Sequence, residues 1–224
     1  MFELYLDTAD AQQVASLNKS LPVFGVTTNP SILAKAGLGV NQALPTLAKA
    51  LDGQARFHVQ VVSQTAEAML AEAIKLHALP YDIVVKVPAT RIGLAAIKLM
   101  KAEGITVLAT AIYSVQQGFF AALCGADYLA PYVNRIDAMG ANGIAVVADL
   151  QKLINQQGLS TKLLPASFKN TQQVLDILQL GVASITLPVD IAEQMLNHPA
   201  VQPAVDQFSS DWQESFGDKL AFES

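Results

Sequence analysis

A single lysine lies inside one of the most apolar stretches of the sequence. Lys86 is flanked by IVV on one side and VPA on the other, within the segment 83–89. A strand of this composition is buried on both faces, and burial disfavours the charged form of an amine and lowers its pKa. A neutral amine attacks ketones and aldehydes to form a Schiff base. Lys86 is therefore a candidate nucleophile, although a lone strand lysine is more often structural, for instance in an ion pair with Asp7.

Further polar residues stand near the ends of neighbouring apolar runs. Arg135 and Ser167 together would suit a phosphate, because an arginine presents a two-pronged donor to phosphate oxygens. We interpret His58, toward the middle of its run, as a packed and hydrogen-bonded core histidine rather than a catalyst. The candidate set is Asp7, Thr27, Asn29, Gln60, Thr110, Tyr132, Asn134, Arg135 and Ser167.

Each of these residues also has a structural explanation. Asp7 could cap a helix beginning near Thr8, since aspartate is a favoured N-cap. The segment 27–31, TTNPS, could be a turn before a capped helix, and Gln60 could hydrogen-bond Thr110 within the core. The remaining explanations are a core-filling role for Tyr132, a surface loop position for Arg135 and a turn-capping role for Ser167.

Short runs rich in Val, Ile and Leu alternate with longer amphipathic segments along the whole chain. We expect helices over 65–79, 91–104, 142–157 and 171–181, because apolar residues recur there at helical spacing. The predicted strands are 2–7, 23–29, 56–62, 83–89, 106–113, 128–134, 162–167 and 184–188.

Regular alternation of strand and helix predicts a parallel sheet. Eight such units in a chain of 224 residues correspond to a (β/α)8 TIM barrel near the lower size limit of that fold. The other candidate is an open doubly wound sheet, which normally shows a glycine-rich turn after its first strand. Here the first strand ends in the glycine-free segment 7–10, DTAD, so we favour the barrel.

Strand alternation predicts which polar residues point into the barrel. In the fourth strand Val84 and Lys86 are expected inside, and in the third strand His58 and Gln60. The first strand directs Asp7 inward at its C-terminal end. The same alternation places Thr27, Asn29, Thr110, Tyr132, Asn134 and Ser167 inside, near the C-terminal ends of their strands. Barrel enzymes carry their active sites at that end.

The composition excludes several other classes of protein. There are 14 Lys and Arg against 19 Asp and Glu, a net charge of −5, which argues against nucleic-acid binding. The single cysteine, Cys124, excludes an internal disulfide, and the three histidines lack metal-binding spacing. Without a signal peptide or a membrane-length apolar run, we expect a cytoplasmic protein with no membrane partner.

Six motifs together resemble those of the transaldolase-like class I aldolases. The resemblance extends over essentially the whole chain, includes DWQ at 211–213, and is closest to the short bacterial fructose-6-phosphate aldolases. The motifs occur in the family's order: LDT (6–8), GVTTNPS (25–31), IVVKVP (83–88), APYVNRIDA (130–138), ASFK (166–169) and SITLP (184–188).

The resemblance implies that Lys86 forms the Schiff base and that Arg135 and Ser167 hold the substrate phosphate. It also implies that Asp7, Thr27, Asn29 and Thr110 line the dihydroxyacetone end of the substrate. Transaldolases carry Glu where Gln60 stands and Phe where Tyr132 stands, whereas fructose-6-phosphate aldolases carry Gln and Tyr.

The expected activity is thus reversible cleavage of fructose 6-phosphate to dihydroxyacetone and glyceraldehyde 3-phosphate, with no metal or organic cofactor. Tyr132 is the expected proton relay, acting through a water held by Gln60 and Thr110. One alternative is a transaldolase, which passes the dihydroxyacetone unit to a second sugar phosphate. A more distant alternative is a non-catalytic barrel that binds sugar phosphates, in which Lys86 is only an ion-pair partner.

The C-terminal segment carries a stripe of large apolar residues that an eight-unit barrel does not require. We therefore expect a barrel domain over 1–199 and a helical extension over 200–224. The stripe consists of Val201, Val205, Phe208, Trp212 and Phe216. The helix could fold back over its own barrel. However, family resemblance implies rings of five that stack into ten, and charged residues make up only 15% of the chain. We therefore expect a homo-oligomer in which this helix contacts a neighbouring subunit.

Overall fold

Eight parallel strands form the centre of the protein. The computed structural model describes residues 2–52 and 55–223. Strands β1 to β7 pair in sequence order, and β8 pairs with β1. The strands are β1 (Glu3–Asp7), β2 (Val23–Thr27), β3 (Arg56–Gln60), β4 (Asp82–Pro88), β5 (Val107–Ile112), β6 (Tyr128–Pro131), β7 (Lys162–Leu163) and β8 (Ser184–Leu187).

Two hydrogen bonds connect the ends of this row of strands. The Ser184 hydroxyl donates to the Leu163 carbonyl over 2.8 Å, and the Thr186 amide donates to the Pro165 carbonyl over 3.1 Å. The sheet therefore curves into a nearly closed barrel. The predicted (β/α)8 TIM barrel with an added C-terminal helix is confirmed, and the alternative of an open doubly wound sheet is wrong.

Helices connect successive strands on the outside of the barrel. None that the structure describes is long and apolar enough to cross a membrane. The helices are α1 (Ala11–Asn18), α2 (Pro30–Ala36), α3 (Val40–Ala50), α4 (Ala66–His77), α5 (Arg91–Ala102), α6 (Val115–Leu123), α7 (Val133–Ala138), α8 (Gly143–Gln156), α9 (Thr171–Gln179), α10 (Val189–Leu196) and α11 (Val201–Phe216), followed by a short 3-10 turn (Ala221–Glu223).

The structure corrects several predicted boundaries. Asp10, not Asp7, caps the first helix, because its carboxylate accepts from the amides of Gln12 and Gln13. Strand β6 ends at Pro131 rather than at 134, since the chain turns there into α7. Asn134 therefore lies on a helix and not in a strand, and Arg135 lies on the same helix rather than on a loop.

Two layers of core confirm the predicted alternation of side chains. Outside the strands, residues such as Phe57, Val85 and Val87 pack against the helices. Inside the barrel, Tyr5, Val84 and further side chains form a separate cluster. Because neighbouring residues of a strand point to opposite faces, Lys86 projects to the inside with Val84.

A charged network fills the N-terminal end of the barrel interior. Glu3 is 5% exposed and accepts hydrogen bonds from Tyr5, Tyr128 and Lys162 over 2.7–2.9 Å. Burial opposes ionisation of Glu3, but these donors outweigh it and lower the pKa of the carboxyl. Arg56 donates to Tyr128 and pairs with Asp82. Paired charges thus close this end of the barrel, which is opposite to the end where barrel enzymes carry their active sites.

His58 lies inside the barrel between this network and Lys86. The side chain is fully buried, and the Tyr5 and Tyr128 rings pack edge-on against it at 4.7 and 5.4 Å. Burial lowers the pKa of His58 far below its usual range, and the charges of Lys86 and Arg56 lower it further. Among residues 2–52 and 55–223, neither ring nitrogen has a hydrogen-bond partner. His58 is therefore packed as predicted, but the prediction that it is hydrogen-bonded is wrong.

Replacing His58 by phenylalanine should stabilise the protein. A buried polar group without a partner costs about 1–3 kcal/mol, and phenylalanine keeps the ring while removing that group. We expect His58→Phe to raise the free energy of unfolding by about that amount in urea titrations at fixed protein concentration. His58 does not bind a proton in the folded state, whereas in the unfolded chain it does so below about pH 6.5. The wild-type protein therefore loses stability as the pH drops below about 6.5, and the stability advantage of His58→Phe should grow there.

The exposed His77 provides a matched control for this substitution. His77→Phe on α4 makes the same chemical change outside the core, so it should alter the free energy of unfolding by less than about 0.5 kcal/mol. A His58→Phe variant that is less stable than the parent at pH 7 would show that the imidazole has a favourable role in folding.

Candidate functional site

Lys86 is the central residue of the C-terminal half of the barrel interior. Only 5% of it is exposed, and its amine donates a hydrogen bond of 2.6 Å to the carbonyl of Thr28. Burial lowers the pKa of Lys86, and the charge of Asp7 partly opposes this effect. Within residues 2–52 and 55–223 Lys86 forms no salt bridge. The structural alternative, an ion pair with Asp7, is therefore not formed.

Thr28 is a site residue that sequence reasoning missed. Its carbonyl holds the Lys86 amine, while its amide and hydroxyl donate to the carbonyl of His58 over 3.0 and 3.1 Å. The position of the amine thus depends on a backbone carbonyl anchored to the next strand. No residue-type signal could have revealed this contact, because every residue carries a carbonyl group.

Asp7 ends β1 and belongs to a chain of hydroxyl groups. The Thr27 hydroxyl is 2.7 Å from the Asp7 carboxylate and 2.7 Å from the Thr186 hydroxyl. Asp7 is half-buried, whereas both threonines are buried. A carboxylate fixed in this way can accept hydrogen bonds from substrate hydroxyls, and its charge favours a cation at Lys86.

Thr110 and Tyr132 are joined by a hydrogen bond of 2.9 Å between their hydroxyl groups. Thr110 is fully buried near the end of β5, and Tyr132 follows β6. Burial raises the pKa of Tyr132; Asp7 raises it further, while Thr110 and Arg135 oppose the rise. Tyr132 therefore keeps its proton over a wide pH range and can act as a proton donor. The suggested pairing of Gln60 with Thr110 is absent, because Thr110 bonds Tyr132 instead.

Arg135 lies beside Tyr132 at the mouth of the barrel. Its guanidinium carbon is 4.8 Å from the centre of the Tyr132 ring, and one of its nitrogens is 3.4 Å from the Tyr113 hydroxyl. Arg135 itself is exposed, so its donors face solvent.

Ser167 follows the short strand β7 and has a φ of +63°, a conformation that non-glycine residues rarely adopt. Sparsely populated backbone conformations of this kind cluster at ligand-binding sites.

Gln60 is the last residue of β3 and is the register partner of Lys86 on β4. It borders a cavity of about 500 Å³ that also reaches Pro30, Thr90 and Arg91. The pairing of the two strands therefore puts Gln60 beside Lys86 in the sheet, at the edge of open space.

The two predicted asparagines take different positions. The Asn29 side chain caps α2 by accepting from the Ile32 amide over 2.9 Å, which leaves its amide donors available. Asn134, on α7, accepts a hydrogen bond of 3.4 Å from Gln173. The prediction that Asn134 points inward from a strand is wrong, because the helix begins one residue earlier.

The described residues contain no group of three His, Cys, Asp or Glu side chains close enough to hold a metal ion. The groups gathered at the mouth of the barrel are an amine with a lowered pKa, a carboxylate, hydroxyls and a guanidinium. This set can perform nucleophilic addition to a carbonyl, proton transfer from a phenol and recognition of an anion.

Removing the Asp7 charge should lower the pKa of Lys86 further. The pKa of Lys86 lies below its usual value of 10.5 because of burial, and Asp7 is the group that raises it. We expect NMR titration of ¹³C-labelled lysine side chains to give Lys86 a midpoint below 10.5, and Asp7→Asn to shift this midpoint downward.

Asp10→Asn is the matched control for this titration. It removes the same charge, and asparagine still caps α1. The Lys86 midpoint should not move in that variant. An upward shift in Asp7→Asn would contradict the electrostatic role assigned to Asp7.

Comparison with solved structures establishes the similarity of the fold. Thiamine phosphate pyrophosphorylase from Pyrococcus furiosus matches with a TM-score of 0.55 and 16% identity, over 96% of this chain and 98% of that one. A Sinorhizobium meliloti protein classed as a candidate isomerase gives a TM-score of 0.61 and 13% identity, over 86% and 53%. Flavocytochrome b2 gives 0.56 and 12%, over 84% and 56%. At these identities the likeness concerns the barrel and not its chemistry.

Comparison with protein families is more specific. The model of the transaldolase/fructose-6-phosphate aldolase family matches residues 4–221, nearly the entire chain. That range contains Lys86, Tyr132 and the other groups at the mouth of the barrel. The chain therefore belongs to the transaldolase/fructose-6-phosphate aldolase family and is an enzyme of the class I transaldolase or aldolase type.

Proposed function

We propose that the protein is a class I aldolase that cleaves fructose 6-phosphate reversibly to dihydroxyacetone and glyceraldehyde 3-phosphate. The observation that carries the proposal is the buried amine of Lys86, which has a lowered pKa and, within the described part of the chain, forms no salt bridge. Such an amine is uncharged in a larger share of molecules than a solvated lysine, and only the uncharged form is nucleophilic.

The reaction begins with addition of the Lys86 amine to the C2 carbonyl of the substrate. Loss of water then gives an iminium ion, which withdraws electrons from the neighbouring C3. The same proton relay that later protonates the enamine, Tyr132 acting through a water, takes up the C4 hydroxyl proton. The C3–C4 bond breaks, and its electron pair moves into the iminium to form an enamine. Glyceraldehyde 3-phosphate leaves. Asp7 orients substrate hydroxyls, and its charge balances the cation formed at Lys86.

The enamine must gain a proton at C3 before hydrolysis releases dihydroxyacetone and regenerates the amine. Tyr132 is the proton donor in this proposal, acting through a water held by Gln60 and Thr110. The raised pKa of Tyr132 and its hydrogen bond to Thr110 support this role. A positioned acid of this kind contributes about 10²–10⁴ in rate.

Substrate phosphate is bound by Arg135 and Ser167 in this scheme. Both follow late strands of the barrel, where phosphate sites of this fold are often found. The dihydroxyacetone end lies toward Asp7, Thr27 and Asn29.

Transaldolase activity remains the second candidate, because the family includes both reactions. The two differ only in the fate of the enamine, which takes a proton in the aldolase and attacks a second sugar phosphate in the transaldolase. We favour the aldolase because Gln60 and Tyr132 stand where transaldolases carry Glu and Phe. A neutral amide at position 60 and a phenol at position 132 suit protonation of the enamine.

Wild-type protein should cleave fructose 6-phosphate in the absence of an acceptor sugar. We expect Tyr132→Phe to lose about 10²-fold or more of this activity, because the ring remains but the proton relay is removed. The same variant should still form the Schiff base, so borohydride reduction with dihydroxyacetone should leave an adduct on Lys86 that peptide mass spectrometry detects.

Controls separate the possible failures of this proposal. Tyr81→Phe removes a phenol at the opposite end of the barrel and should retain full activity. Lys86→Met should give no adduct, whereas the exposed Lys98→Met should give the normal one. Cleavage that strictly requires erythrose 4-phosphate would identify a transaldolase. Folded wild-type protein that gives no adduct would exclude Schiff-base chemistry and favour the non-catalytic barrel.

We also propose that the protein is a homo-oligomer, with five or ten subunits. Every residue over 201–211 of α11 is exposed, including Val201, Val205 and Phe208, the last with 69% of its surface free. The helix therefore does not bury this stripe against its own barrel. Large exposed apolar stripes are unusual on monomers and mark interaction surfaces.

Deleting the C-terminal helix should break up the oligomer. We expect the intact chain to show a light-scattering mass several times 23.8 kDa, and a chain ending at His198 to form smaller species or aggregates. As a finer comparison, Phe208→Ala should weaken assembly, while Gln207→Ala, off the stripe, should not. A monodisperse intact monomer would refute the proposal.

A further inference from the structure

We propose that Tyr113 is a positioning residue that fixes the Arg135 guanidinium at the mouth of the barrel, where it receives the substrate phosphate. This inference rests on the proposed function, because it concerns the phosphate site of that reaction. Tyr113 was not among the residues selected from the sequence, where strand alternation would turn it away from the site.

A bulge in β5 turns Tyr113 toward the site. Between β5 and β6 the register runs from Ala109 opposite Leu129 to Ile112 opposite Pro131, so β5 holds one extra residue. The extra residue brings Ala111 to a φ of +55°. Such bulges reverse the alternation of the side chains that follow. Thr110, before the bulge, points inward, and after the bulge Ile112 packs with the outer core while Tyr113 faces Tyr132.

Tyr113 contacts both partners of this arrangement. Its ring meets the Tyr132 ring edge-on at 5.7 Å, and its hydroxyl accepts a hydrogen bond from Arg135 over 3.4 Å. Arg135 in turn lies over the Tyr132 ring at 4.8 Å. The three side chains thus form a closed set in which each touches the other two.

The backbone of Tyr113 is itself fixed. Its amide donates to the Gln117 side chain over 3.0 Å, and Ser114, the next residue, caps α6. Arg135 is exposed and, within the described residues, forms no salt bridge. Without Tyr113 its long side chain would sample many rotamers in water. Holding the guanidinium before the substrate arrives reduces the entropy lost on binding.

A phosphate-binding measurement tests the inference without turnover. We expect isothermal titration with inorganic phosphate to show about three- to tenfold weaker binding to Tyr113→Phe than to wild type, because the ring is kept and one hydrogen bond to Arg135 is lost. Arg135→Ala should weaken binding more. Adding Tyr113→Phe to Arg135→Ala should have no further effect, since the hydroxyl acts only through the arginine. Tyr81→Phe is the matched control and should bind phosphate normally.

Steady-state kinetics give a second readout that a merely structural role would not move. Tyr113→Phe should raise KM for fructose 6-phosphate about three- to tenfold, as it weakens phosphate binding, with kcat within about twofold of wild type. KM for unphosphorylated fructose should not change. A loss of equal size for both sugars, or an effect of Tyr113→Phe that persists in the Arg135→Ala background, would overturn the inference.

The two proposals can fail separately. Wild-type protein that binds phosphate but does not cleave fructose 6-phosphate would refute the proposed function, while the phosphate titration would still decide the role of Tyr113. Unchanged phosphate affinity in Tyr113→Phe, with active wild-type enzyme, would overturn only the inference about Tyr113.

Discussion

The site depends on one constraint: the barrel interior around Lys86 must be shielded from water and must hold little other positive charge. The amine is enclosed by parallel strands whose backbone groups bond one another, so few polar partners are left for it. The amine donates to the carbonyl of Thr28. Thr28 is held in place because its own amide and hydroxyl donate to the carbonyl of His58. The same enclosure that costs stability by burying an amine lowers its pKa, which favours the uncharged, nucleophilic form. Burial also lowers the pKa of His58, which lies between Lys86 and the network at the N-terminal end, so this imidazole adds no positive charge near the reacting nitrogen at neutral pH.

The two ends of the barrel use charge in opposite ways. At the N-terminal end Glu3 accepts hydrogen bonds from Lys162 and two tyrosines, and Arg56 donates to one of those tyrosines. These paired groups close that end of the barrel. At the C-terminal end Asp7 is bound, among residues 2–52 and 55–223, by one threonine hydroxyl, so its charge remains available to the lysine and to a ligand. This separation agrees with the general division of barrels into a stabilising face and a reacting face.

Much of the fold follows from the sequence because it depends on local, repeated patterns. Alternation in β3 and β4 predicts that His58, Gln60 and Lys86 point inward, and the packing of His58 against Tyr5 and Tyr128 and of the neighbouring Val84 inside the barrel confirms the alternation. The pattern fails where a tertiary feature overrides it. The bulge at Ala111 turns the Tyr113 side chain to the other side of the strand, and the early start of α7 moves Asn134 out of the sheet. The Thr28 carbonyl could not be predicted at all, because its role arises from strand register and not from side-chain type.

Barrels that share only 12–16% identity with this chain have names that point to quite different chemistry, so the fold alone does not select a reaction. Selection must come from the few side chains that strand register brings beside the buried amine. Gln60 is one of them, because it is the register partner of Lys86 on the neighbouring strand. A carboxylate there would add a second negative charge beside Lys86 and raise its pKa, as Asp7 already does. A neutral amide leaves Asp7 as the carboxylate whose charge acts on the amine, and leaves the phenol of Tyr132, bound by Thr110, as the proton donor. The uncharged residue at position 60 is thus as much a part of the electrostatic design as the charged residue at position 7.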